Sequence, residues 1–117
     1  MNLGRVYDEP DGTKRVLVDR LWPRGFHKDD PRVDTWLPEV APSTELRKWY
    51  GHQPERKAEF IERYRHELDT PQGAAALDDL RKLVSGGPAT LVTATREVDS
   101  SHLPVLAELL GSGEKDA

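Results

Sequence analysis

Ala89-Thr90-Leu91-Val92-Thr93-Ala94-Thr95 is the stretch that decides the fold. It carries no charge, and apart from its threonines it is apolar on both alternating faces. A strand with one face in water alternates apolar and polar residues. One that is apolar on both sides belongs in the middle of a parallel sheet, covered above and below. Ser85-Gly86-Gly87-Pro88 ends whatever precedes it. Working outward, Arg15-Val16-Leu17-Val18-Asp19 is a second short β-branched run and the expected neighbour of 89–95. Residues 3–7 alternate weakly, and Glu9-Pro10-Asp11-Gly12 has the Pro and Gly positions of a type I turn. The two N-terminal strands therefore form a hairpin or lie apart in the sheet.

Helices fill the span between 43 and 85. Ser43 is placed as the N-cap of a first helix, with Glu45 in the first turn, where the helix dipole favours an acid; the helix stops near Gly51. Pro54 fits the first turn of a second, whose apolar stripe is Ala58, Ile61, Tyr64 and Leu68, flanked by Phe60. Thr70-Pro71 opens a third, with a core face of Leu77, Leu80, Leu83 and Val84. A last helix spans about 101–110 and carries Leu103, Leu106, Leu109 and Leu110. The order strand, strand, helices, strand, helix predicts a small three-layer α/β domain with a short, mostly parallel central sheet flanked by helices. A single domain at 1–110 and a flexible tail at 111–117 are expected.

Residues 21–42 hold Pro23, Pro31, Pro38 and Pro42 and show no sustained periodicity. A loop of that length in a compact domain is often functional. Trp22, Trp36 and Trp49 lie in or beside it, and Trp36 and Trp49 are expected to be mostly buried, clamping it.

Composition narrows the function classes. The 117 residues contain no cysteine, which excludes disulfides, cysteine-based metal sites and thiol nucleophiles. No apolar run approaches the ~20 residues of a membrane helix, and the N-terminus lacks the apolar stretch of a signal peptide, so a cytoplasmic protein without a membrane partner is expected. The net charge of −4 argues against bulk attraction to nucleic acid. The four histidines, His27, His52, His66 and His102, have no i, i+4 pair and no HExxH, so neither a metal nor another cofactor is expected. Of the 17 basic residues 11 are Arg, whose rigid fork matches carboxylates and phosphates.

In open parallel sheets ligands gather beyond the carboxyl ends of the strands. Asp19 to Gly25 and Thr95 to His102 should meet at that rim. In the first segment Arg20 and Arg24 bracket Trp22-Pro23. The functional reading makes Arg20 and Arg24 a fork for a phosphate or carboxylate, with Asp19 orienting Arg20 and Trp22 as a stacking wall. The structural alternative is an internal Asp–Arg pair, and composition weighs the two equally. Ser43 and Thr44 place hydroxyls and N–H groups at a helix start, with Arg47 one turn on, either as an anion site or as an ordinary cap. Arg96 and His102 complete the far side. A helix start holds His102 neutral, which suits a base, a ligand contact or a polar cap.

Three of these blocks carry a resemblance. Arg15-Val16-Leu17-Val18-Asp19-Arg20-Leu21-Trp22-Pro23-Arg24-Gly25 is similar, almost letter for letter, to the signature of the YeaO-like family of small bacterial proteins, a domain of unknown function (DUF488). Pro42-Ser43-Thr44-Glu45-Leu46-Arg47-Lys48 is the second block; the strand at 89–95 with Arg96 and Ser101-His102 is the third. The resemblance covers Arg5 to about Leu110. It implies a three-layer α/β fold and a bacterial cytoplasmic protein, and it supplies no function. The third block departs from the pattern, with Ser101 where relatives often carry Asn and Arg96 where they carry Lys. Some distant relatives have a Cys near this rim; a thiol mechanism does not apply here. Some members are labelled transcriptional regulators, but this chain has no winged-helix pattern and no basic helix.

The leading expectation is an arginine-lined cleft for a small anion, a nucleotide or phosphorylated metabolite, with transferase or hydrolase chemistry conceivable through His102. The alternative is a non-enzymatic regulatory or interaction protein. Whether Arg20, Arg24 and Arg47 converge on a hollow or each pair with an acid separates the two.

Overall fold

β4, Ala89–Thr93, is buried at every residue and lies inside a four-stranded parallel sheet. The computed structural model describes residues 1–115. In it β4 pairs on one side with β1 (Asn2–Arg5) and on the other with β2 (Lys14–Leu17), which in turn pairs with β3 (Thr35–Trp36), giving the order β1-β4-β2-β3. Val16 sits opposite Leu91 and Leu17 opposite Val92. The N-terminal strands are thus separated by β4, not joined in a hairpin.

The two faces of the sheet have different covers. Val16, Val18 and Leu91 point to one face and share a single apolar core with all four helices: α1 (Thr44–Tyr50), α2 (Lys57–Leu68), α3 (Pro71–Ser85) and α4 (Leu103–Lys115). Val6, Leu17 and Val92 point to the other, where Trp22, Phe26 and Val33 of the β2–β3 connection pack on them. Parallel neighbours need a crossover, and helices are the usual means. Here Pro23 and Pro31 prevent a continuous helix, so the third layer is an ordered loop.

Arg15 holds this loop from inside. It is only 2% exposed, and its guanidinium donates to the carbonyls of Arg5, Val6, Asp8, Glu9 and Arg32. Its backbone N–H donates to Asp34. Irregular backbone packed on a sheet must satisfy its carbonyls somewhere, and one five-donor side chain does much of that. Asp30 and Arg32 add a fork pair in the loop that lowers the Asp30 carboxyl to about 2.

The helix ends follow their sequence signals. Ser43 Oγ accepts from Leu46 N–H, and α1 ends on Gly51 at φ 50°, a left-handed cap suited to glycine. Thr70 caps α3, with Pro71 in its first turn. The stripe of α2 is Phe60, Tyr64 and Leu68. Phe60 is therefore central, Ile61 is half-buried and Ala58 is exposed. Trp36 differs from expectation at 40% exposed, and Trp49 is half-buried, lying between the guanidiniums of Arg56 and Arg63. Neither is a buried clamp, because Trp36 ends an edge strand and Trp49 packs against the core with only part of its ring. α4 continues past Leu110 to Lys115; the rest of the expected tail, residues 116 and 117, lies outside the described residues.

Candidate functional site

The carboxyl ends of β2 and β4 are joined by Asp19. One carboxylate oxygen accepts from Thr93 Oγ1 at 2.7 Å and the other from Ala94 N–H at 2.7 Å. The two segments expected at one rim do meet there. Asp19 does not orient Arg20, however: Arg20 Nε and Nη2 donate to the carbonyls of Pro42 and Ala41 at 3.1 and 2.8 Å. The arginine ties the β2 rim to the entry of α1, and the aspartate ties it to β4.

His102 sits behind Asp19, just before α4, and is 7% exposed. Its Nε2 lies 2.8 Å from the Val18 carbonyl and 3.6 Å from Asp19 Oδ1. A carbonyl only accepts, so Nε2 carries the proton and Nδ1 the lone pair. Burial lowers the imidazole pKa below 6.5 and the charge of Arg47 adds to this, while Asp19 and the Val18 bond oppose it. Burial dominates, and the ring is neutral.

In front of these residues lies a pocket of about 380 Å³, in the size range of small-molecule sites. Asp19, Arg20, Thr44, Arg47 and His102, all named from sequence, line it. Leu21, Ala41, Pro42 and Phe60 give it apolar wall, and Lys48, Tyr50, His52 and Thr95 add polar atoms. Tyr50 stacks on Phe60 at 4.2 Å and donates its hydroxyl to the Ser100 carbonyl. His52 adopts φ 58°, a left-handed conformation next to that of Gly51, and its ring lies 5.7 Å from Tyr50.

Four residues named from sequence lie outside the pocket. Trp22 turns onto the second face of the sheet, donating to the Phe26 carbonyl and meeting Trp36 edge-on at 5.4 Å, so it stacks on protein. Arg24 and Arg96 are exposed and line none of it. Ser43 already holds an anion, because its N–H and Oγ donate to the Glu67 carboxylate of α2 at 2.9 and 2.6 Å. The helix start that sequence offers to a ligand is filled by the protein's own acid.

Charge in the pocket is one-sided. The Arg47 and Lys48 side chains make no ion pair or hydrogen bond with any described residue, and Arg20 bonds carbonyls only. Three cations thus face one carboxylate in a protein of net charge −4. Lys48, Tyr50 and His52 were not singled out as site residues from sequence. The signal available was α1 itself, since a helix that presents Arg47 carries its neighbours to the same rim.

Fold and site together define a small α/β protein with a cationic pocket beyond the carboxyl edge of a parallel sheet. The chain belongs to the DUF488 family: the model of the inactive DUF488-N3 subclade matches residues 1–116. It is 54% identical over 112 residues to the uncharacterised protein Rv3073c of Mycobacterium tuberculosis (strain H37Rv), with 94% of this chain and 92% of the relative aligned. The uncharacterised protein Mb3100c of Mycobacterium bovis matches to the same extent. Escherichia coli K12 YeaO, also uncharacterised, is 41% identical over 111 residues, covering 92% of this chain and 94% of that protein. No solved structure matches. Among the described residues no helix is long and apolar enough to cross a membrane.

Proposed function

We propose that the pocket binds a small anionic ligand of the cytoplasm and does no chemistry on it. The observation that carries this reading is the placement of Arg47 and Lys48, two cations without acid partners among the described residues, at a concave site in an acidic protein. Positive charges that line one pocket without acid partners among the described residues are neutralised by solvent anions or by a ligand, and a phosphate or carboxylate matches both head groups. Arg20 adds charge from the back wall.

Two features favour binding without turnover. The matching subclade is described as inactive. His102 has its Nε2 committed to the Val18 carbonyl, and among the described residues no serine or threonine hydroxyl is bonded to it as a nucleophile would be. His102 is then a binding group. A nucleic-acid partner is not part of this reading, since the net charge opposes it.

The test is an NMR titration of the ¹⁵N-labelled protein with inorganic phosphate at constant ionic strength. Saturable shifts at Thr44, Arg47, Lys48, His52 and Thr95 are expected. No saturable shift, or shifts centred on Arg24 and Arg96, would overturn the proposal.

A further inference from the structure

Resting on the anion-pocket reading, we propose that the ligand is more than an anion: it carries an apolar body and, beyond it, a hydrogen-bond donor taken by Nδ1 of His102.

The pocket makes three demands on an occupant. Arg47 and Lys48 call for negative charge. Leu21 offers apolar surface that a bare oxyanion leaves uncovered, while Ala41 and Phe60 line the pocket from within the core. Leu21 is the most telling: it is 65% exposed, the highest value among the exposed large apolar side chains of the described residues, and it stands at this pocket. An apolar side chain held in water beside a hollow gains when an apolar group covers it.

The third demand comes from His102. Its Nε2–H is spent on the Val18 carbonyl, which leaves a lone pair on Nδ1, and no described residue donates to that atom. The residue lines the pocket and is almost wholly withdrawn from solvent. Burial and the nearby Arg47 charge keep the ring unprotonated, so Nδ1 accepts and does not donate. A ligand hydroxyl or N–H satisfies it, and a ligand with an ether or methyl there strands it. Sites built to bond a donor reject analogues that lack one more strongly than apolar pockets reject a missing methylene.

The class is therefore a phosphate monoester or carboxylate on an apolar or aromatic body that ends in a hydroxyl or N–H. The experiment is calorimetric titration of the full chain with inorganic phosphate, phenyl phosphate, the 3- and 4-hydroxyphenyl phosphates and their methoxy counterparts. The ¹⁵N signal of His102 Nδ1 is followed in parallel. Phenyl phosphate should bind about tenfold tighter than inorganic phosphate, and Leu21→Ser, a surface change, should narrow that gap. One hydroxyphenyl isomer should bind about tenfold or more tighter than its methoxy partner, and it alone should move the Nδ1 signal towards that of a hydrogen-bonded nitrogen. If every compound binds equally and Nδ1 stays unmoved, this inference is overturned while the anion pocket stands. If none binds, the anion pocket itself falls, and this inference with it.

Discussion

Replacing Asp19 by Asn keeps the shape of the side chain and removes its charge and one acceptor. In the native protein both carboxylate oxygens accept at 2.7 Å, one from the Thr93 hydroxyl and one from Ala94 N–H. The Asn oxygen must stay on Ala94, because a backbone N–H cannot turn away. Its amide then faces Thr93, whose hydroxyl already accepts from Thr95 N–H. Two charge-assisted bonds worth about 1.5–3 kcal/mol each become neutral ones worth about 0.5–1.5 kcal/mol, a loss of about 2–3 kcal/mol in total. For a chain of this size that lowers Tm by roughly 8–12 °C. Urea unfolding followed by Trp fluorescence should show a lower midpoint with an unchanged slope. Phosphate affinity should hold or rise, because the only carboxylate among the described residues lining the pocket has gone. A stability loss below about 0.5 kcal/mol would refute Asp19 as the tie between β2 and β4. Normal stability with lost phosphate binding would restore it as a ligand-orienting group.

Three further outcomes follow from the geometry. Burial sets the native His102 pKa below its unfolded value of 6.5, so the unfolded chain takes up the proton first as pH falls. Its contribution to stability is complete above about 6.5 and declines below it, down to the lowered native value; urea midpoints should drop between pH 7.5 and 5.5, and less so in His102→Gln, whereas a midpoint that rises contradicts the assignment. Arg24→Gln should change stability by no more than about 0.5 kcal/mol and leave phosphate affinity untouched, since Arg24 is exposed and outside the pocket; thermal melts with and without phosphate check both. Gly73→Ala should destabilise by about 2–3 kcal/mol, because an added Cβ would lie 2.2 Å from the Glu67 carbonyl, where α3 starts against the end of α2; a variant as stable as the parent in urea would show that the two helices can part there without cost.

What could be read from sequence was local. The uncharged run at 89–95 placed β4 between two partners, and Ser43 and Gly51 marked both ends of α1, because each signal lies within a few residues of its effect. The rim was legible too, since Asp19 and Thr95 follow directly from two parallel strands. Long-range pairings were not. Ser43 looks free to bind an anion until Glu67, 24 residues on, is seen to occupy it. Asp19 beside Arg20 suggests a pair, yet its partners stand 74 and 75 residues later. Arg15 belongs to the run read as a strand and proves to be a buried hub, because its acceptors are loop carbonyls that no side-chain pattern announces. Proximity to Arg20 in the chain points Trp22 and Arg24 to the site, but packing of Trp22 and Phe26 with Leu17 and Val92 takes Trp22 to the other face of the sheet, and Arg24 is left exposed outside the pocket.

The central claim is that Arg47 and Lys48 hold an anion. The most direct measurement is the calorimetric affinity of phenyl phosphate for the parent chain, for the Arg47→Gln/Lys48→Gln double variant and for Arg24→Gln. Both residues of the double variant are exposed and make no ion pair with a described residue, so it should fold with stability equal to or slightly above the parent's. It should bind at least about thirtyfold more weakly, given two charge-assisted bonds lost, while Arg24→Gln binds like the parent. A double variant that binds as tightly as the parent would contradict the account.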